Sequence, residues 1–147
     1  MTYIDRVGVV VVDKSLGKMI LLIEYANKKD ETWWKVYQTI WGKREWNETD
    51  FECLCRETRE EINCDIKTET LAFLGEYVWP SVSDPMKNVV IRLYQWELMW
   101  DVHPQVAEGI VGYVRMGKEV MDYPECLTSH VLREEILPDL IKRRIIW

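Results

Sequence analysis

The sequence has no apolar run long enough to cross a bilayer. Residues 7–12 are apolar, but a spanning helix needs about 20 such residues. It also lacks a basic excess: 19 Lys and Arg against 25 Asp and Glu leave a formal charge of -6. A protein that grips a nucleic-acid backbone needs a clustered basic face, so neither a nucleic-acid polymer nor a membrane is expected as a partner. A small anionic substrate stays open, because a divalent cation held by carboxylates reverses the local sign of an acidic site. The four cysteines, Cys53, Cys55, Cys64 and Cys126, form no Cys-x-x-Cys pair. A zinc site therefore has little support, and reduced, partly buried thiols are expected. Histidine is scarce, with only His103 and His130. Internal repeats and linker-like stretches are lacking. Residues 1–6 do not form the charged start of a signal peptide followed by a long apolar run, so the expected location is cytoplasmic.

What is present suits one ordinary domain over residues 1–147, with 48% hydrophobic residues for a core and 30% charged residues for a surface. The β-branched stretches 7–12 and 19–23 predict two strands joined by a turn at 13–17. The polar segment 25–32 predicts a loop, and the aromatic segment 33–41 a strand that runs to Gly42. A helix is expected at 50–62, strands at 70–77, 88–99 and 110–115, and loops at 80–87 and 104–109. A final helix is expected at 125–142, where Pro138 should end or kink it. Strands, helix, strands and helix in this order predict an α/β (α+β) fold, with helices packed on a mixed β-sheet.

The most informative stretch is residues 42–64. Thr49 followed by Glu52 is a capping box, with Thr49 at the N-cap. Phe51, Leu54, Cys55, Thr58 and Ile62 recur at helical spacing and form one mostly apolar face. Asn63 stands where the helix should stop, and asparagine tolerates the left-handed conformation used there. Glu57, Glu60 and Glu61 fall at i, i+3 and i+4, so they project side by side. Three neighbouring carboxylates repel unless something positive intervenes. Arg56, four residues before Glu60, and Arg59 can brace them as a solvated acidic face. A hard divalent cation with oxygen ligands is the other remedy.

This stretch resembles the Nudix box: glycine, five residues, glutamate, seven residues, arginine-glutamate, an aliphatic residue, any residue, two glutamates, any residue, glycine and an aliphatic residue. Gly42, Glu48, Arg56, Glu57, Glu60 and Glu61 fall at the matching places. Thr58 replaces the usual aliphatic residue and can still pack. Asn63 replaces the last glycine, and Asn47 stands where a loop glycine is common; both tolerate positive φ. Trp41 stands where the family often has a glycine before the box, a bulkier approach to phosphate.

The resemblance implies a Nudix-type α/β/α sandwich with the box at residues 42–64, and a catalytic loop-helix-loop. Glu57, Glu60 and Glu61 would hold Mg2+ or Mn2+, with the Trp41 carbonyl as a further ligand. The metal would activate a water for attack on one phosphorus of a diphosphate. Glu48 would assist through metal-bound water or by orienting the helix, and Arg56 would orient a glutamate. Family members often take another carboxylate from a later loop; Glu108 is the candidate here and Glu97 its competitor. Lys43, and less so Arg44, can meet phosphate. Trp34 and Trp96 lead a set of aromatic candidates for base stacking that includes Trp33, Tyr37 and Trp79, although strand aromatics commonly serve as core. Tyr25, Arg92 and Tyr94 are open in the same way. His103 is expected in an exposed loop, and His130 either in the core or facing substrate.

The implied activity is metal-dependent hydrolysis of a nucleoside polyphosphate, as in a nucleoside triphosphate pyrophosphohydrolase, with modified nucleotides included. The alternatives are a nucleoside diphosphate sugar, a dinucleoside polyphosphate, or a non-catalytic nucleotide-binding module. A homodimer is compatible with the resemblance.

Overall fold

The structure, a computed structural model, describes residues 3–13, 18–29, 32–81, 84–98, 104–105 and 110–147, with the side chains of 26–29, 32–35 and 68 outside the description. Strand β1 (Tyr3–Asp13) is the hub of the sheet. It pairs antiparallel with β2 (Met19–Lys29) through Val11↔Leu21 and with β4 (Ile40–Gly42) through Val9↔Ile40. It pairs in parallel with β6 (Asn88–Glu97) from Tyr3↔Asn88 to Val12↔Glu97. The order is β3-β2-β1-β6-β5, where β3 is Thr32–Gln38 and β5 is Leu71–Pro80; β7 (Gly112–Met116) also pairs with β2.

The valine run of β1 is buried on both faces because each face of the sheet carries its own layer. Val7, Val9 and Val11 meet Leu54 and Ile62 of α1 (Asp50–Ile62). Val10 and Val12 meet Leu132, Ile136 and Leu140 of the C-terminal helical segment. This is the helix, mixed sheet, helix sandwich expected from the sequence. No helix of the described residues is long and apolar enough to cross a membrane.

The box helix has the expected limits and caps. Thr49 and Glu52 form the capping box, and Asn63 closes the helix at φ 53°. The four cysteines are free thiols. Burial, then the charge of Glu48, pushes the Cys53 thiol up to about 11, which suits packing rather than nucleophilic work.

Three expectations are corrected. Residues 25–32 are not a loop: β2 runs on to Lys29 and pairs with β3 from Ile23↔Gln38 to Lys29↔Thr32. Cross-strand pairing at the edge of a sheet does not require an apolar face. The aromatic strand 33–41 breaks at Thr39, so that β3 pairs with β2 while β4 pairs with β1. The final helix does not begin at 125. Pro124–Cys126 is a separate 3-10 turn, and Thr128 bonds back to the Tyr37 carbonyl at 3.0 Å. Helix then runs from His130 through a π-helical stretch, Leu132–Ile136, into α2 (Leu137–Lys142). Pro138 has no N–H for the α pattern. The wide turn just before it, closed by the Leu137 N–H on the Leu132 carbonyl, lets the helix pass through the proline.

Thr58 occupies the aliphatic place of the box and packs as one, fully buried. Its hydroxyl oxygen has no hydrogen-bond partner among the described residues. A buried hydroxyl without a partner is destabilising. Thr58→Val is therefore expected to raise unfolding stability by about 1 kcal/mol, read by denaturant titration; a loss of stability would show that the hydroxyl is bonded.

Candidate active site

Arg56 sits at the centre of the box. Its Nε and Nη2 donate to the two Glu48 carboxylate oxygens at 2.8 and 3.0 Å, Nη1 donates to Glu57 at 2.8 Å, and Nη2 donates to the Lys43 carbonyl at 3.0 Å. Glu48 also accepts the Glu45 N–H at 2.8 Å, which closes the loop on itself. Asn47 in that loop has φ 69°, the left-handed geometry its residue type allows. Arg56 thus orients Glu48 and Glu57 together. Glu60 is a distant third at 3.7 Å, and Arg59 turns away to Asp65 at 2.6 Å.

A second network holds the start of α1 against the sheet. Arg92 on β6 donates to Asp50 at 2.8 and 2.9 Å and to Asp5 on β1 at 2.6 Å. Tyr94 donates to Asp50 at 2.8 Å. Arg92 and Tyr94, candidates for substrate contact on sequence alone, are thus engaged in anchoring the helix.

The box carboxylates have opposed electrostatics. Glu48 is lowered to about 2 by its hydrogen bonds from Arg56 and then from the Glu45 backbone. Glu57 and Glu61 are raised, first by burial and then in part by neighbouring negative charge. Tyr25 donates to Glu61 at 3.2 Å. Glu60 is the exposed member, with 60% of its side chain accessible. Among the described residues, no three carboxylates, imidazoles or thiols converge into a ready-made metal cage. The donor chemistry nevertheless suits a hard divalent cation. Glu57, Glu60 and Glu61 are all oxygen donors, and burial, then neighbouring negative charge, raises Glu57 and Glu61, a cost that such a cation would offset.

A sequence model of the NUDIX domain matches residues 2–123, most of the chain. The chain belongs to the Nudix hydrolase family. That family acts on phosphoanhydride bonds. Among curated proteins, none matches the chain. Solved structures share the Nudix fold at low sequence identity. A NUDIX hydrolase from Nitrosomonas europaea aligns at TM-score 0.72 and 14% identity, covering 99% of this chain and 93% of its own. The Escherichia coli dihydroneopterin triphosphate pyrophosphohydrolase aligns at 0.68 and 17%, covering 97% and 99%. A Caenorhabditis elegans Ap4A hydrolase aligns at 0.63 and 19%, covering 95% and 97%.

In this Nudix chain a cavity of about 210 Å³ lies against β4, on the sheet face opposite the acidic helix. Trp41 lines that cavity, together with Trp79 from β5, Arg6 from β1, and Ser129 and His130 ahead of the π-helical stretch. The next residue, Gly42, lies against Glu57: a Cβ there would stand 2.1 Å from Oε1. A wider cavity of about 770 Å³ shares Ile4 and Arg6 with the first and runs along the box loop past Lys43, Arg44 and Glu48.

Several expectations fall differently. Trp96 is 2% exposed and packs with the α1 layer, so its ring offers no open face to a base; it is core. Lys43 is exposed on the loop. Trp34 pairs with Asn27 in the β2–β3 ladder, and its side chain lies outside the described residues, as do Glu108 and His103. Glu97 ends β6 and is exposed. Arg6 and Ser129 were missed, since nothing local in the sequence marks them; only the sheet register and the start of the last helix bring them to Trp41.

Gly42→Ala is expected to push the Glu57 carboxylate off its seat. The clash involves the far end of a flexible side chain, so the fold should survive while turnover falls by about a hundredfold, the scale of a roughly 1 Å misplacement. A variant with normal melting temperature and normal kcat would overturn this.

Proposed function

We propose that the protein hydrolyses a nucleoside polyphosphate at a phosphoanhydride bond, with a nucleoside triphosphate as the simplest substrate. One observation carries this reading. Within the three residues of β4, Trp41 lines an aromatic cavity and Gly42 seats a box glutamate. A base held against Trp41 would lie one strand position from the seat of Glu57, on the opposite face of the sheet. Flat rings stack on indole faces.

Bound by Glu57, Glu60 and Glu61, Mg2+ or Mn2+ would neutralise charge on the diphosphate and lower the pKa of the attacking water. The chain's own groups do the rest. Arg6 and Lys43 supply positive charge to the phosphates. Arg56 fixes Glu57 and Glu48 relative to each other. Glu108 is the proposed further carboxylate that accepts a proton, with Glu97 as its alternative.

The test is release of phosphate or pyrophosphate from a panel of nucleotides with Mg2+ or Mn2+. Turnover that disappears in EDTA is expected. Tight nucleotide binding with no turnover under either metal would favour a non-catalytic module instead. The 770 Å³ cavity along the box loop, with Trp46 92% exposed on its rim, favours a second reading: a longer substrate carrying another group beyond the phosphates, such as a dinucleoside polyphosphate or a nucleoside diphosphate sugar. Product analysis on those substrates separates the two.

A further inference from the structure

We propose that Tyr25 is a positioning residue for the divalent cation. Its phenol holds the Glu61 carboxylate in one setting before a cation arrives, and so favours Mg2+ over a more tolerant ion such as Ca2+. This rests on the reading of Glu57, Glu60 and Glu61 as the cation's ligands.

Tyr25 reaches the box through the alternation of β2. Leu21 and Ile23 are buried in the layer that α1 covers, and Tyr25, two residues on, packs half-buried against the same layer. Its hydroxyl donates to Glu61 Oε2 at 3.2 Å. Glu61 stands in the last turn of α1, where the backbone is held by other bonds. The Asn63 N–H donates to the Arg59 carbonyl at 3.0 Å, and the Gln105 N–H to the Ile62 carbonyl at 2.9 Å. The phenol oxygen therefore fixes the carboxylate and not the helix.

The three box carboxylates differ in how they are held. Glu57 takes Arg56 Nη1 at 2.8 Å. Glu60 is exposed, and Arg56 comes no nearer to it than 3.7 Å. Arg59, two residues before Glu61, is paired with Asp65 at 2.6 Å. Among the described residues, Tyr25 is thus the side-chain donor to Glu61, and it engages one of the two carboxylate oxygens. A glutamate gives up rotamer freedom when it ligates a cation. One that is already held gives up less, and the difference appears as affinity. The phenol does this without placing a positive charge beside the cation. The ions should feel the contact unequally. Mg2+ demands near-octahedral oxygen ligands, whereas Ca2+ accepts irregular sets and takes carboxylates by one oxygen or by both. A glutamate freed to turn suits Ca2+ and fails Mg2+.

The experiment is calorimetric titration of the intact protein with Mg2+ and, separately, Ca2+, without nucleotide, so that no turnover enters. Tyr25→Phe keeps the ring in its packing and removes only the hydroxyl. It is expected to weaken Mg2+ binding about tenfold, the scale of losing a group that orients a ligand, and Ca2+ binding by no more than about twofold. Mg2+ binding unchanged in Tyr25→Phe, or an equal loss for both ions, would overturn the proposal; the equal loss is what a merely structural role would give. Glu61→Gln separates this failure from that of the metal set. If Glu61→Gln loses Mg2+ affinity and Tyr25→Phe does not, the role of Tyr25 alone is refuted. If neither variant changes Mg2+ binding, or the native protein binds no Mg2+, the assignment of Glu61 as a ligand falls and the proposal with it. The expected split between the ions, together with no hydrolysis of any nucleotide, would support the role of Tyr25 and refute the hydrolase reading.

Discussion

Glu61→Gln is expected to lower turnover by roughly a hundredfold or more and, in the same protein, to raise the melting temperature in EDTA at pH 7. The activity loss follows from removing one of the three carboxylates proposed to hold a cation, whose charge stabilisation would be worth several kcal/mol at about 1.4 kcal/mol per factor of ten. The stability gain has a separate cause. Burial, aided by the charges of Glu57 and Glu60, raises the Glu61 carboxyl above its ordinary value. A carboxyl with a raised folded-state pKa binds a proton more readily folded than unfolded. Its ionisation therefore weakens the fold as pH rises from the ordinary carboxylate range through the raised value. Glutamine has the same shape without the charge, and its carbonyl can still accept from Tyr25. The gain should shrink as pH falls to about 4, near the ordinary carboxyl value, where the native group is already protonated. Thermal melts at the two pH values and initial rates in Mg2+ read both parts. Retained turnover would remove Glu61 from the metal set, and a lower melting temperature at pH 7 would show that the carboxylate is stabilising as an ion.

Such opposition between function and stability is the mark of a site built from like charges, and it was the part of the fold most legible in the sequence. The box helix could be placed to the residue because its signals are local: Thr49 and Glu52 at the start, Asn63 at the end, and carboxylates at i, i+3 and i+4. What could not be read depends on pairing across long separations. Trp96 looked available as an aromatic, but it pairs with Val11, which turns it to the α1 face and buries it. Residues 25–29 looked like loop because they are polar, and they became strand only through pairing with β3. The tie of Arg92 to Asp50 and Asp5 spans 42 and 87 residues. No local pattern announces it, yet it anchors the box helix to the sheet. His130 was left between core and substrate for the same reason: its place is set by where Thr128 meets β3, and that shifts the start of the final helix.

Arg56→Met should then be the variant most damaging to the site as a whole. It removes at one stroke the partner of Glu48, the partner of Glu57 and the donor to the Lys43 carbonyl. Two carboxylates that shared one guanidinium would face each other without a cation between them. Turnover is expected to fall by about a hundredfold or more, since small displacements of catalytic groups have effects of that size, and the melting temperature should drop by several degrees. The pH dependence identifies the cause. Glu48 is lowered from 4.5 to about 2 by Arg56. A lowered carboxyl contributes stability that is present above the ordinary value and is lost as pH falls through the lowered one. The gap in melting temperature between native protein and Arg56→Met should therefore be widest at neutral pH and close as pH falls from about 4.5 towards 2. Arg56→Lys keeps the charge but not the planar fork. One ammonium cannot reproduce the two-pronged contact with Glu48 while also meeting Glu57 and the loop carbonyl. It should recover part of the melting temperature and little of the turnover. If Arg56→Lys matched the native enzyme in both, charge alone would suffice, and the fork that joins loop to helix would lose its role in setting the glutamates.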